Sequence, residues 1–472
     1  MEKKYSLLPR VPLKADCKKI KGDFAAWKHS FGHGGVNNYP VPPDIVNGLA
    51  LLKPKLIRTF IQEFFFIYPD HDTFDWTKLD PFMDALAGIG AKIVACIAIK
   101  PKPLYPVVDQ KIIMPNDAAE WQRVIEALVR RYSVTKKIVT HWEISNEPDI
   151  GEMGGSPYLA SPEQYNEYYR LTAEAILRAF PDAKVGGPAL SNPWHPIMES
   201  LVSYCAGNGL PLDFISWHGY SDNPPLFSGG VKHVCGLTEK YFPGKKIEKL
   251  VTEFNKWFHE AKIEDAEQNG MRSAIAVASA FEMQDAGADF SFLFHIWDHL
   301  VVAEQFAPFF SDPDYMQTFW NKLAGNFGMF DVCGKPRLIY FAYKLLSQIC
   351  GDECETESPA PDLKIKCAVS AGGCVNAVLV NYDPRSSRDV VAEVDFVGIS
   401  DGFKLLTVSR IDEKTRIENG SVVPVERRYL QTSSKYSDRP FFCHVLMPAD
   451  SVTYMKIEPV TEEEMLKSYG YK

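Results

Sequence analysis

The sequence predicts a (β/α)8 TIM barrel with a C-terminal antiparallel β-sandwich domain. Three observations lead to this fold class. The chain of 472 residues is too long for one core. Up to about residue 350, eight apolar runs alternate with amphipathic segments. After that point, apolar and polar residues alternate with the period of two that is typical of strands. We assign residues 1–20 to an N-terminal strand that joins the sandwich, residues 21–350 to the barrel and residues 351–472 to the sandwich.

The eight apolar runs are the candidate barrel strands. Each precedes a segment with helical spacing, which gives the strand–helix repeat of a TIM barrel. Trp121–Tyr132 places its apolar residues on one helical face. Ser161–Gln164 carries a serine N-cap, a proline at the first helical position and a glutamine placed for a capping box. The last barrel helix is predicted over Pro336–Cys350. The candidate strands are Asp23–His29, Leu56–Phe64, Lys92–Ile99, Ile138–Ser145, Ala183–Ala189, Phe214–His218, Ile247–Phe254 and Asp289–Trp297.

The residues after Gly351 predict a different kind of domain. Asp352–Pro361 is acidic and carries proline, which is typical of a linker. Asn419-Gly420 lies between two β-prone runs and predicts a hairpin. We expect a strand from Tyr5–Pro12 to join the sandwich. Its other predicted strands are Leu363–Val369, Val375–Tyr382, Val390–Val397, Phe403–Ile411 and Phe441–Ile457.

Composition excludes several classes of protein. A net charge of −9 without a basic run argues against a nucleic-acid partner, and no apolar run reaches the about 18 residues of a membrane span. The ten cysteines lack the paired spacing of a zinc site or a disulfide framework, so we expect no metal and no cofactor. The start lacks an apolar leader, which predicts a cytoplasmic protein as written, or a secreted or periplasmic one if a leader was trimmed. A homo-oligomer is left open.

Two glutamates at strand ends are the candidate chemical groups. His141–Pro148 is a short apolar strand that ends in Asn146-Glu147 before a proline, and Lys249–Asn255 carries Glu253 at the end of a second strand. Catalytic residues of TIM barrels come from the C-terminal ends of the strands. Hydrolysis of a glycosidic bond needs one carboxyl group as acid and a second as nucleophile or base. This pairing therefore indicates an enzyme that cleaves sugars.

Four segments resemble clan A retaining glycoside hydrolases, and within them family 39, the β-xylosidase and α-L-iduronidase group. The resemblance covers roughly Asp23–Cys350, and the sandwich matches by type. One departure is Ser145, where the clan often has a bulkier residue. The four segments are Trp142–Pro148 for the acid/base strand, Leu250–Phe254 for the nucleophile strand, Ser216–Tyr220 for the sixth strand, and Gly328–Tyr343 for the closure of the barrel.

This resemblance implies a role for each site residue. Glu147 would be the general acid/base and Glu253 the nucleophile, with carboxyl groups about 5–5.5 Å apart. Asn146 would hydrogen-bond the sugar 2-OH, and Arg58 would keep the nucleophile ionised. His218 and Tyr220 would lie at the substrate, with Tyr220 in a position to hydrogen-bond Glu253.

Two further residues are candidates from their position alone. Trp297, at the end of the eighth predicted strand, could form the floor under the sugar ring, with core packing as the alternative. His33 follows the first predicted strand in a glycine-rich loop that faces the pocket. The predicted pocket walls are Asp149–Ala160, Ser221–Gly230 and Val301–Asn326.

The predicted function is a retaining glycoside hydrolase, exo-acting on β-xylosides or related glycosides, whose partner is a glycoside or oligosaccharide. The alternative is a non-catalytic carbohydrate-binding protein on a glycosidase-like barrel. A third hypothesis is a metal-dependent barrel hydrolase acting on C–N or P–O bonds, which the scattered histidines do not favour.

Overall fold

The computed structural model describes residues 8–257, 269–322, 327–433 and 441–470. Contacts divide the chain into two units. One contains Met1–Ala26, Glu267–Ala278 and Pro336–Lys472, and the other contains Trp27–Ala266 and Ser279–Lys335. In the described ranges, no helix combines the length and the hydropathy that a membrane crossing requires.

Eight parallel strands form a closed barrel in the second unit. Strand β1 (Arg10–Asp23) belongs to the first unit, and β2 pairs with β9 to close the barrel. The strand interiors are apolar and buried, as in β4, because both faces of a parallel barrel are covered. The barrel strands are β2 (His29–His33), β3 (Leu56–Gln62), β4 (Lys92–Ala98), β5 (Val139–Ile144), β6 (Lys184–Leu190), β7 (Phe214–Tyr220), β8 (Glu248–Asn255) and β9 (Phe290–Phe294).

The predicted first barrel strand is wrong. We expected Asp23–His29, but β2 begins at His29, and Asp23 ends β1 in the other unit. The long run of alternating residues in Arg10–Asp23 pairs with two strands of the C-terminal sheet, which fixes it there. The other seven predicted barrel strands lie within a few residues of the observed ones.

Helices follow the barrel strands as predicted. Ser161 accepts a hydrogen bond from Gln164 N, and the Gln164 side chain closes the capping box of α4. In the segment predicted from Trp121–Tyr132, α3 is continued by a π-helical turn. The helices are α1 (Pro43–Ala50), α2 (Leu79–Ala87), α3 (Ala118–Val129), α4 (Pro162–Ala179), α5 (Pro196–Asn208), α6 (Pro224–Tyr241), α7 (Asn269–Asp285), α8 (Pro313–Lys322), α9 (Leu338–Leu346) and α10 (Glu462–Ser468).

The other unit is built on a nine-stranded sheet in the order β17-β14-β19-β12-β11-β10-β1-β13-β18. Its pairings are antiparallel except that of β1 with β13, which is parallel. One apolar core draws on both halves of the sheet, as in a sandwich, and the predicted fold class is confirmed. The strands are β10 (Asp352–Glu357), β11 (Leu363–Val369), β12 (Val375–Asn381), β13 (Val390–Val397), β14 (Gly402–Ile411), β15 (Ile417–Glu418), β16 (Ser421–Val422), β17 (Glu426–Thr432), β18 (Phe442–Met447) and β19 (Ser451–Pro459).

The predicted linker is wrong, because its first six residues form β10. Three acidic residues of β10 lie at alternate positions and pair across the sheet with lysines of β1: Glu353, Glu355 and Glu357. Lys19 contacts Glu355 and Lys21 contacts Glu353, each at 3.2 Å. The acidic run is therefore one face of a strand.

Two predictions at the chain's turns and ends have different outcomes. The Asn419-Gly420 hairpin is confirmed, since both residues have positive φ, as a type I′ turn requires, and join β15 to β16. The predicted N-terminal strand Tyr5–Pro12 lies partly outside the described residues. In the described part, β1 begins at Arg10 and extends well beyond Pro12.

Candidate active site

Glu147 and Glu253 meet at the carboxyl ends of the barrel strands. Glu147 follows β5 in a left-handed turn with φ 38°, held by a 2.9 Å hydrogen bond from its backbone N–H to Ala189 O. Glu253 lies near the end of β8. One oxygen of each carboxyl group and one ring nitrogen of His218 lie within 4.8 Å of one another.

The carboxylate of Glu253 receives two strong donors. Arg58 Nη1 donates to Oε1 at 2.6 Å, and Tyr220 Oη donates to Oε2 at 2.5 Å. Burial raises the pKa of Glu253, while the charge of Arg58 and the Tyr220 hydrogen bond lower it. The two donors therefore favour the ionised form that a nucleophile needs.

Arg58 organises the base of the site although no solvent reaches it. Its Nε donates to Glu143 Oε2 at 2.7 Å, and its Nη2 donates to Asn146 Oδ1 at 2.9 Å. Burial works against the charged form, but Glu143 and Glu253 raise the pKa of Arg58 above its usual range. Asn146 also donates from Nδ2 to Gly154 O at 3.2 Å. The orientation of Asn146 is thus fixed at both ends of its amide.

Glu147 is in contact with a neutral histidine. His218 Nδ1 lies 2.7 Å from Glu147 Oε1 and 3.6 Å from Glu253 Oε2. Burial, with a contribution from Arg58, lowers the pKa of His218 well below its usual value. The neutral imidazole can accept from the carboxylic acid of Glu147 or donate to its carboxylate. The contact therefore suits both protonation states of a general acid/base.

The environments of Glu147 and Glu253 differ, and this difference decides which of the two carries a proton. Burial raises the pKa of Glu147 well above its usual value, and the charge of Glu253 adds to this effect. Among the described residues, no cation donates a hydrogen bond to Glu147 as Arg58 does to Glu253. A proton shared by this coupled pair resides on Glu147.

Gly154 is a site residue that sequence reasoning missed. It lies against the acid, and a Cβ built on it would overlap Oε2 and come within 2.8 Å of Cδ of Glu147. Only glycine lets the backbone of this turn approach the carboxyl group so closely. The sequence shows the Gly154-Gly155 pair, but it does not show that Glu147 lies next to Gly154 in the fold.

A cavity of about 480 Å³ opens above the two glutamates. All three predicted wall segments contribute described residues, among them Met153, Leu226 and Phe319, although residues 323–326 of the third lie outside the described part. Four tryptophans line it as well: Trp194, Trp217, Trp257 and Trp320. Trp320 belongs to the third predicted wall segment, whereas sequence reasoning did not place the other three there. In the described part of the lining the ionisable side chains are Glu147, His218, Tyr220 and Glu253, with no lysine or arginine.

The structure places Trp297 and His33 behind this lining. Strand β9 ends at Phe294, which lines the cavity, and Trp297 lies beyond the strand end. The rings of His33 and Trp297 stack with centroids 6.4 Å apart, and each also packs against His299. Next to His33, the backbone of Gly34 and Gly35 does line the cavity.

This stacked group contains buried polar atoms that lack hydrogen-bond partners among the described residues. They are both ring nitrogens of His33, Nε1 of Trp297 and Nε2 of His299. Burial lowers the pKa of both histidines, that of His299 to about 3, so the imidazoles are neutral at physiological pH. Neutral imidazole and indole groups are able to hydrogen-bond sugar hydroxyls.

Comparison with known proteins gives the family. The profile of glycosyl hydrolases family 39 matches residues 68–416. A beta-xylosidase of Caldicellulosiruptor saccharolyticus is 25% identical over 397 residues, which cover 78% of this chain and 77% of the relative.

Two solved structures share the fold. The family 39 enzyme from Xanthomonas axonopodis pv. citri aligns with a TM-score of 0.74 and 17% identity, over 98% of this chain and 100% of that one. A monomeric beta-xylosidase from Caulobacter crescentus CB15 aligns with a TM-score of 0.73 and 18% identity, over 96% of this chain and 100% of that one. With the family profile matched over most of its length, the chain belongs to glycoside hydrolase family 39 and is a glycosidase.

Proposed function

We propose that the protein is a retaining, exo-acting glycosidase that removes a neutral sugar, with xylose as the first candidate, from β-linked glycosides. The observation that carries this proposal is the position of two carboxyl groups, with oxygens within 4.8 Å of each other, in two different environments. Inverting enzymes place these groups about 6.5–9.5 Å apart to admit a water, whereas retaining enzymes hold them about 5–5.5 Å apart.

The reaction follows from these environments. Glu253, kept anionic by Arg58 and Tyr220, attacks the anomeric carbon, while protonated Glu147 gives its proton to the departing oxygen. The products of this step are a glycosyl ester on Glu253 and the free aglycone. Glu147 then takes a proton from water, and the hydroxide so formed attacks the anomeric carbon and releases Glu253.

The stacked group behind the cavity lining supports a sugar hydroxyl site. His33, Trp297 and His299 bury polar atoms that have no hydrogen-bond partner in the described part of the chain, which costs folding free energy unless a ligand satisfies them. Asn146, held by Arg58, is the candidate for the 2-OH. In this proposal Trp297 and His33 keep the substrate role expected from the sequence, with Gly34, the chain neighbour of His33, in the cavity lining.

The charge of the cavity favours a neutral sugar over a uronic acid. A sugar carboxylate needs a cation, and no lysine or arginine lies in the described lining. The negative charge of Glu253 would instead repel it. The beta-xylosidase relative points to the same choice.

The cavity mouth favours an apolar group or a second sugar ring as the leaving group. Met153, Trp194, Leu226 and Trp257 line it, and each is more than 40% exposed. Exposed aromatic faces bind the C–H faces of sugars and aryl rings at little entropic cost. A cavity of this size lies in the lower range of small-molecule pockets, which supports attack at a chain end.

The test is the release of 4-nitrophenol from a panel of α- and β-linked aryl glycosides by wild type, Glu147→Ala and Glu253→Ala. We expect turnover of the β-xyloside and none of the glucuronide. Glu253→Ala should be inactive. On xylo-oligosaccharides, whose leaving group needs a proton, Glu147→Ala should lose about 10²–10⁴-fold in kcat/KM, and azide should speed its release of 4-nitrophenol. Glu199→Ala, on the surface, is the control.

Other outcomes separate the alternatives. NMR of the first-formed sugar should show the β-anomer, and the α-anomer would overturn the retaining mechanism. Sugar binding without turnover of any glycoside would favour the non-catalytic protein.

A chelator tests the metal-dependent hypothesis. Glu147, His218 and Glu253 are close enough to share an ion. However, Arg58 already supplies the positive charge at Glu253. We therefore expect full activity after prolonged dialysis against EDTA, and loss of activity that returns with a divalent ion would contradict the proposal.

A further inference from the structure

Three cysteines from three different strands converge in the sheet unit. They are Cys17 of β1, Cys354 of β10 and Cys367 of β11, and their sulfur atoms all lie within 4.8 Å of one another. Cys354 and Cys367 are direct partners in the β10–β11 ladder. Cys17 lies between Asp16 and Ile20, where the β1–β10 register shifts. An irregularity of this kind re-aims a side chain, and here it accompanies the approach of the third thiol.

Burial distinguishes this cluster from ordinary core cysteines. Cys354 and Cys367 are fully buried in the apolar core, whereas Cys17 is only half-buried. A single buried cysteine behaves as a small apolar side chain, and Cys96 and Cys205 in the barrel unit are of that kind. The cluster instead brings three thiols together, and Cys17 is partly exposed to solvent.

We propose that Cys17, Cys354 and Cys367 form a binding site for one thiophilic cation of the Zn²⁺ class. Zinc–sulfur bonds of about 2.3 Å in tetrahedral geometry require sulfur separations of about 3.8 Å, so the three side chains need to close by at most about 1 Å. Thiolates select such soft cations. Each thiol releases its proton to solvent on binding, and a water on the Cys17 side takes the fourth position.

A bound cation would tie β1 to the C-terminal part of the sheet. Cys17 belongs to the N-terminal strand, and the other two ligands come from strands that follow more than 300 residues later in the chain. A ligand that binds only the folded state stabilises it by mass action. This site is independent of the glycosidase reaction, because its residues lie in the sheet unit and all the active-site residues lie in the barrel unit.

The test uses the full chain, reduced and freed of metal, titrated with Cd²⁺ and Zn²⁺. Cd²⁺ should give an ultraviolet thiolate charge-transfer band that saturates at one equivalent, and only a large excess of Zn²⁺ should weaken it, because the softer Cd²⁺ binds thiolates more tightly. Cys17→Ser and Cys367→Ser should weaken binding by at least about 100-fold, the upper end of what losing a ligand's supporting partner costs. Cys333→Ser, at an exposed thiol of the barrel unit, should bind as wild type does.

Folding of each variant is checked by circular dichroism. The half-buried Cys17 offers the variant that disturbs the core least. Zn²⁺ should also raise the thermal midpoint of wild type but not of Cys17→Ser. The proposal is overturned if no band forms, if the band survives in the folded Cys17→Ser variant, or if mass spectrometry finds a Cys354–Cys367 disulfide in place of free thiols.

Discussion

Tyr220 donates its hydrogen bond to the one oxygen of Glu253 that Arg58 leaves open. Arg58 contacts Oε1 at 2.6 Å and Tyr220 contacts Oε2 at 2.5 Å, so both oxygens of the carboxylate have a donor. A group held in this way is kept charged, yet it must release one donor when an oxygen bonds to the sugar. The tyrosine, a neutral donor, is the easier of the two to release.

Tyr220→Phe removes the donor that lowers the pKa of Glu253 without removing its cation. Because a hydrogen bond to a charged group contributes about 1.5–3 kcal/mol, we expect kcat/KM to fall about 10–100-fold. The pKa of Glu253 should rise, so the acidic limb of the kcat/KM profile should move to higher pH. Tyr169→Phe removes a buried hydroxyl that donates to Pro211 O and serves as the control. An acidic limb that stays in place would contradict this role.

Glu143→Gln should show how strongly Arg58 depends on its anchor. Glu143 and Arg58 are both fully buried, and removing one partner of a buried pair costs about 3–5 kcal/mol. Since glutamine keeps one acceptor oxygen, we expect a loss near the lower value, measured by urea unfolding, together with reduced kcat. Glu199→Gln breaks the exposed pair with Lys240 and should cost less than about 1 kcal/mol. An equal loss of unfolding free energy in Glu143→Gln and Glu199→Gln would contradict the role of Glu143 as the anchor of Arg58.

Gly154→Ala should affect the acid and leave the fold intact. The added methyl group would overlap Glu147 Oε2, so the carboxyl group must turn away from its position beside His218. A misplaced catalytic group costs on the order of 10²-fold, and we expect kcat/KM to fall by about that factor. Gly207→Ala, in α5 with open space around it, is the matched control. Wild-type rates in Gly154→Ala would show that the loop yields instead.

Glu63 should make stability depend on pH. It is buried after β3, and burial raises its pKa to about 8. A raised folded pKa means that its contribution to stability is full below the unfolded value, about 4.5, and is lost as pH rises through about 8. Relative to Glu63→Gln, wild type should therefore lose about 4 kcal/mol of unfolding free energy between pH 5 and pH 9. If the unfolding free energies of wild type and Glu63→Gln changed with pH by the same amount, the raised pKa of Glu63 would be contradicted. The unfolding free energy of the control, Glu199→Gln, should change with pH as that of wild type does.

The sequence was most informative where chemistry and periodicity coincide. Glu147 and Glu253 lie at strand ends as predicted, because a barrel strand can be recognised in the sequence from its continuous apolar run. The capping box at Ser161 and the hairpin at Asn419-Gly420 also depend on neighbours only a few residues away. Features of this kind depend on residues that are close together in the sequence, and they can therefore be predicted from it.

Features that depend on distant partners could not be predicted in this way. The acidic residues of β10 indicate a linker until the lysines of β1 are known to face them. The spacing of Cys17, Cys354 and Cys367 indicates no cluster, and nothing local to Gly154 shows that it packs on Glu147. Each of these contacts arises only when the strands are assembled.

The position of β1 in the sheet determines when this strand can pair with its neighbours during synthesis. This strand leaves the ribosome before the barrel segment, but it lies between β10 and β13, whose residues are made after that segment. At usual rates of translation its two edges wait tens of seconds for partners, while the whole barrel segment emerges. Its lysines suit that interval, because charged side chains discourage an unpaired strand from joining another chain.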